Sequence, residues 1–281
     1  MEYLMTYGWA ILIIAVVLGA LFSLGVFNGA NFAPKAPPGA CQVFRPNGPG
    51  TTSFVNLEGV CNGELPEYVT SFNGASSVIT VPSSTSLSSL PNGVTWTVWF
   101  YVPSSASGTP ALASQFVSAS SWIDFWFSST TELRYEAGSV PCDAYTSGSA
   151  VSPNTWYFAA LVYSPSSNTV TGYLDNNNVG SCSGAGLFTQ DSAALNIGAY
   201  STSPYFNGYL ANFQDYNTSL SGPEVNALYL EGIGGAPIDL QNLVAWWPLN
   251  GNANDYSGNM NNGQATNVIY TSSWTNGYTA P

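Results

Sequence analysis

Histidine is absent from this sequence and basic residues nearly so: Lys35, Arg45 and Arg134 stand against 15 acids, for a net charge of −12. Without histidine the commonest general base and metal ligand is missing, and Ser-His-Asp catalysis is excluded. Without a basic footprint nothing neutralises a phosphate backbone, which excludes nucleic acid as a partner. Charged residues of either sign make up only 6% of the 281. Disorder does not follow, because disordered chains combine high charge with low hydrophobicity. Here 45% of residues are hydrophobic and 14% aromatic, so a real core is affordable. The length suits one large domain or two small ones with an uncharged polar surface. Few ionisable groups also mean that acid has little to denature.

Cysteines number 4, without C-x-x-C spacing, which makes a zinc tetrathiolate a poor second to disulfides. Of the pairings open to them, Cys41–Cys61 and Cys142–Cys182 each close a local loop.

Charge is scarcest at the start. "MEYLMTYGWAILIIAVVLGALFSLGVF" carries one charged residue, Glu2. A secretory signal would show a basic region ahead of its apolar core, and none is present. A buried core helix is usually shorter and less uniformly apolar. The run from Trp9 to Phe27, about 19 residues, can span a hydrocarbon layer of roughly 30 Å. A plain membrane anchor therefore explains the length, but not Glu2. A carboxylate in apolar surroundings usually marks a functional contact. Near a helix N-terminus it is favoured by the macrodipole and the unsatisfied N–H groups, and it can neutralise a neighbouring chain's α-amino group.

"MEYLMTYGWAILIIAVV" resembles the N-terminal helix of archaeal type IV pilins, whose Glu lies near the start of the mature chain. The resemblance implies removal of a short basic leader and packing of the helices into a filament core. That family carries a few small or polar residues before its Met-Glu pair, so the natural chain is expected to begin upstream of Met1. Gly8, Ala10, Ala15, Gly19 and Ala20 would allow close backbone approach, as small residues do between membrane helices. With Glu2, they form the expected assembly surface.

"NGANFAPKAPPGA" is dense in Gly and Pro, so the helix is expected to end near Asn28. The expected organisation is an apolar helix over 1–28, a stiff linker over 29–40, and a head over 41–281. In the head, "TWTVWFYV" alternates Trp96, Val98, Phe100 and Val102 against Thr97, Trp99 and Tyr101. "SWIDFWF" alternates Ile123, Phe125 and Phe127 against Trp122, Asp124 and Trp126. "TWYFAALVYSPSSNTVTGYLDNNNVG" reads as strands joined by tight turns. One helix interrupts: in "SLSGPEVNALYLEG", Ser221 can cap, Pro223 can sit in the first turn, and Gly232 ends it. Many short strands with such turns predict a mainly β fold, a sandwich or jelly roll.

"YVTSFNGASSVITVP", the "TWYFAALVYSPSSNTVTGYLDNNNVG" hairpin and "YFNGYLANFQDYNTSLSGPEVNALYLEG" resemble the concanavalin A-like, laminin-G-like jelly roll over Tyr68 to Glu231. "NLVAWWPLNGNANDYSGNMNNGQATNV" resembles that family's opening segment, yet comes last. The resemblance therefore implies a circularly permuted β-sandwich. "NLVAWWPL" has the apolar density of a buried strand, which would otherwise be a sticky edge. It is expected to complete the sheet within its own subunit, with donation to a neighbour as the alternative.

Many members of that family bind calcium or sugars. Asp255, Ser257, Asn259 and Asn262 in "DYSGNMNNG" offer calcium-type oxygens, with a tight Asx turn as the other reading. The family often has acids where this chain has Ala211 and Asn212, which weakens the calcium reading, so no cofactor is required. A glycosidase would need two carboxylates across a cleft. Asp124 stands alone in its strand and Glu132 and Glu136 flank Arg134, so the chain reads as a non-enzyme. Trp96, Trp99, Trp122, Trp126, Trp156, Trp246 and Trp247 are read first as packing and second as a sugar platform. Asn217-Thr218-Ser219 is the sole N-x-S/T sequon, making Asn217 the candidate for N-linked glycan.

The sequence reading is a pilin: a structural subunit that polymerises with copies of itself into an extracellular adhesion filament after residing in the membrane. The alternative is a lectin held singly at the cell surface by the same helix and contacting surface glycans.

Overall fold

The computed structural model describes residues 13–17, 41–46, 52–57 and 65–281, except 89–91, 119–120, 140–141, 147–149, 187–192 and 201–202. Residues 13–17, Ala15 among them, are helical and exposed. Glu2, Gly8, Ala10, Gly19, Ala20, the linker 29–40, Cys61 and the Cys41 side chain lie outside the described residues. Among those described, no helix is long and apolar enough to cross a membrane.

Strands β1 (Cys41–Pro46) and β2 (Thr52–Leu57) form a two-stranded sheet. The head follows with β3 (Val69–Asn73), β4 (Val78–Val81), β5 (Val94–Tyr101), β6 (Ala111–Ser118), β7 (Ser121–Ser129), β8 (Glu132–Gly138) and β9 (Asp143–Tyr145). It continues with β10 (Trp156–Ser164), β11 (Thr169–Leu174), β12 (Asn177–Ser183), β13 (Leu195–Ile197) and β14 (Asn207–Tyr216). Helix α1 (Gly222–Leu230) then precedes β15 (Leu243–Trp247), β16 (Gln264–Thr266) and β17 (Ile269–Thr271).

These strands make two antiparallel sheets, as a sandwich requires. One has eight strands in the order β12-β11-β10-β5-β14-β3-β17, with β15 also on β14. The other has seven, ordered β16-β4-β13-β6-β7-β8-β9. Between them, Trp96, Val98 and Phe100 of β5 meet Ile123, Phe125 and Phe127 of β7 in one core. The Phe100 and Phe127 rings lie 5.9 Å apart, edge to face.

A second apolar layer covers the other side of the eight-stranded sheet. There Trp99, Trp156 and Phe158 pack with Val225 and Leu228 of α1, Trp246 and Trp274. This explains why every residue of β5 is buried although its sequence alternates. The helix starts where its capping residues predict. The Glu224 carboxylate reaches back to accept from the Ser221 N–H (2.7 Å) and hydroxyl (2.6 Å), and Pro223 sits in the first turn. Gly232, at φ +78°, takes the left-handed backbone beyond the last turn.

The C-terminal segment closes the sandwich from within the same chain. Strand β14 pairs with β3 through Asn207–Leu210 and with β15 through Phe213–Tyr216, so β15 extends the sheet where β3 stops. Strand β17 adds to β3 and β16 adds to β4, so both sheets receive strands from this segment. The expected Cys142–Cys182 disulfide is present, tying the loop before β9 in one sheet to β12 in the other.

Candidate functional site

Register in the seven-stranded sheet sorts its residues into two adjacent rows of opposite character. Ile79, Ile197, Ala113, Phe125, Tyr135 and Ala144 are consecutive cross-strand partners, and all belong to the core. The neighbouring row runs Gln264, Thr80, Asn196, Ser114, Asp124, Glu136 and Asp143. Successive strand residues point to opposite faces, so this entirely polar row lies on the outer face. It crosses all seven strands.

Three carboxyl groups therefore sit side by side on β7, β8 and β9. This corrects the reading of Asp124 as standing alone and of Glu136 as merely flanking Arg134. Asp124 is almost fully buried at 1% exposure, and burial raises its carboxyl well above the ordinary range, helped by Glu136 and Asp143. Glu136 is pushed up to about 7, chiefly by burial and then by Asp143. Tyr200 lies near enough to feel both Asp124 and Glu136, and burial with those charges raises its hydroxyl.

Aromatic residues flank the carboxyls along the strands. On one side Trp122 of β7 partners Phe116 of β6, and the Phe116 ring lies 6.5 Å from that of Tyr200. On the other side Trp126, Arg134 and Tyr145 form a cross-strand row. The Arg134 guanidinium lies 5.4 Å from the Trp126 ring centre and 5.3 Å from that of Tyr145. It also bonds Asp143 at 2.5 Å and Glu132 at 3.0 Å. Phe116 and Tyr145 remain 43% and 48% exposed, which leaves apolar ring surface open to a ligand.

Polar atoms on this face are left without protein partners. Asp124 Oδ1 and Ser114 Oγ are buried and unbonded, while the Trp122 and Trp126 side chains hydrogen-bond the Glu136 carboxyl. Orphaned buried polar groups are costly and are commonly satisfied by a ligand or water. Open rings beside unpaired donors and acceptors suit a molecule with an apolar face and a hydroxylated edge.

The tryptophans divide as packing predicts. Trp96 and Trp247 fill the inter-sheet core, while Trp99, Trp156 and Trp246 fill the second layer. Only Trp122 and Trp126 of those seven face outward from the sandwich on the polar row's side.

The Asp255 loop is clipped by its own hydrogen bonds, as the turn reading requires. Asp255 Oδ1 accepts from the N–H groups of Trp246 and Ser257, and Oδ2 from Ser257 Oγ and Asn261 N–H. Asn262 accepts from Asp255 N–H, and Asn259 donates to the carbonyls of Leu243 and Val244. Both carboxylate oxygens are thus engaged, and no cluster of three or more His, Cys, Asp or Glu positioned for a metal occurs among the described residues. Sequence reasoning passed over Asn261, a buried hub that donates to Val244 O and Ser86 Oγ and accepts from Ser84 Oγ. Asn217 is half-buried, with its Oδ1 enclosed and its N–H donated to Asn242 O.

Comparison with known proteins agrees with this architecture. A heptameric SAP-like pentraxin from Limulus polyphemus shares the fold at a TM-score of 0.54 and 13% identity, covering 74% of this chain and 96% of that one. A Bacteroides ovatus protein described as carbohydrate binding matches at 0.52 and 11% identity, covering 78% of this chain and 66% of its own. No match was found among curated protein sequences. Residues 73–226, more than half of the 281, match a family by sequence, and the chain belongs to the concanavalin A-like lectin/glucanases superfamily.

Proposed function

We propose that this chain is a cell-surface carbohydrate-binding protein that grips glycans on the outer face of its seven-stranded sheet. The observation carrying this reading is the coincidence, on one face, of exposed Phe116 and Tyr145 with the unpartnered Asp124 Oδ1 and Ser114 Oγ. A sugar presents the matching pair of surfaces: an apolar ring face for the aromatics and hydroxyls for the polar row. The Bacteroides ovatus relative, described as carbohydrate binding, supports the same direction.

The test is a glycan array with the full-length chain, repeated with Phe116→Ala and Tyr145→Ala. Each substitution is expected to weaken the captured glycan about tenfold, the scale of one aromatic contact. Absence of binding to any glycan, or binding indifferent to both substitutions, sinks the reading.

A second reading adds polymerisation through the N-terminal segment, as in a type IV pilin-like filament. Two observations favour it: the lone Glu2 in the apolar run, and the helical Ile13, Ile14, Val16 and Val17, each at least 50% exposed. Such a surface calls for lipid or neighbouring helices. Negative-stain imaging of the purified chain, beside Glu2→Ala, should show filaments for the first and few for the second. Dispersed micelles in both would reduce the segment to an anchor.

A further inference from the structure

Resting on the carbohydrate-binding reading, we propose that the sheet face selects sugars bearing a free, protonated amine, such as glucosamine oligomers, and rejects acidic glycans. Register sets the charge on this face. Asp124, Glu136 and Asp143 are direct neighbours on β7, β8 and β9, and Glu132 lies on the same face two pairs away along β8. The positive charge among them is Arg134, and it is already committed, to Asp143 at 2.5 Å and Glu132 at 3.0 Å. Four acids therefore face one base, and Asp124 and Glu136 gain no compensation from it.

The acids alone would not make a site. The independent observation is Asp124 itself, 1% exposed, with Oδ1 unbonded and lying between Ser114 and Glu136 in the row. The Ser114 hydroxyl beside it is buried and equally unbonded. Burial favours the protonated Asp124 carboxyl, and an ammonium, which carries donors only, would favour its ionised form and fill the unbonded position. The groups facing Glu136 are Asp124 from β7, Asp143 from β9, Arg134 on its own strand, Tyr200 from the loop after β13, and the Trp122 and Trp126 side chains of β7, which hydrogen-bond it and partly offset the rise. Burial and Asp143 hold Glu136 up to about 7, which marks a negative environment that a bound cation would relieve. A carboxylate-bearing sugar meets like charge there. An acetylated amine offers no charge to pair.

The test measures full-length protein against glucosamine oligomers, N-acetylglucosamine oligomers of equal length, and sialyllactose. The expected order is glucosamine tighter than N-acetylglucosamine by about tenfold, the scale of one charge-assisted hydrogen bond, with sialyllactose unbound. Glu136→Gln and Asp124→Asn should each shrink that preference, while Glu67→Gln, exposed and distant in sequence, controls for net charge. Should both site variants fail to fold, ionic strength supplies a second readout on the wild type. The amine preference must narrow as salt screens the contact. Equal or tighter binding of the acetylated or acidic sugar, or a preference indifferent to both variants and to salt, overturns the proposal and leaves glycan binding standing. Failure of every glycan to bind overturns both.

Discussion

Replacing Trp247 by alanine tests whether the C-terminal segment is built into the sandwich of its own chain. Trp247 is completely buried at the centre of β15, and its ring lies 5.6 Å from that of Phe213 on the paired strand β14. Its indole N–H donates to the Asn261 carbonyl at 2.8 Å, linking the strand to the Asp255 loop. Truncating a buried tryptophan costs about 3–5 kcal/mol, and the lost hydrogen bond adds about 1 kcal/mol. In a domain of this size each kcal/mol moves the melting temperature by roughly 2–4 °C, so Trp247→Ala should lower it by about 8–24 °C. Trp247→Phe keeps most of the ring and should lose much less. Thermal and urea unfolding of the full-length chain give both numbers, and an unchanged urea slope would show that the native fold persists. A loss under about 1 kcal/mol would mean that the core does not depend on β15, and would refute closure in cis.

Two further outcomes follow from covalent and titratable groups. Removing the Cys142–Cys182 bridge, which spans 40 residues and joins the two sheets, should cost about 2–4 kcal/mol. Melting with and without reductant, alongside a Cys142→Ser/Cys182→Ser variant, measures it, and an unchanged melting temperature contradicts it. Stability should also fall as pH rises. Glu136 goes from 4.5 to about 7 on folding, and burial raises Asp124 and Asp215 well above 3.8. A raised carboxyl stabilises the fold fully below its unfolded value and loses that contribution as pH climbs through its folded one. Melts should therefore be higher near pH 4.5 than near pH 8, with a smaller difference in Glu136→Gln, whereas a melting temperature rising over that window contradicts the assignment.

Local patterns carried far in this protein. The period-2 alternation of "SWIDFWF" separated Ile123, Phe125 and Phe127 from Trp122, Asp124 and Trp126, and the structure puts the first set in the inter-sheet core and the second on the outer face. Ser221, Pro223 and Gly232 bracketed α1 because capping and backbone preferences act over a single turn. The apolar density of "NLVAWWPL" marked a buried strand before any partner was known, since burying so much ring surface needs cover on both sides.

What the sequence withheld was which distant strands stand together. Asp124 looked solitary because Glu136 and Asp143 are neighbours across strands, not along one. The second apolar layer was hidden for a related reason. Trp99, Trp156 and Trp246 alternate away from the inter-sheet core, and α1, the Tyr256 loop and the Trp274 tail help to bury them. In the Asp255 loop, composition showed a cluster of polar oxygens but not the donors that engage Asp255, which come from Trp246 and Asn261. Periodicity is a property of one strand and its backbone, so it can be read from the chain. Register is set by side chains packing between strands far apart in sequence, so the carboxyl row exists only once the sheet has formed.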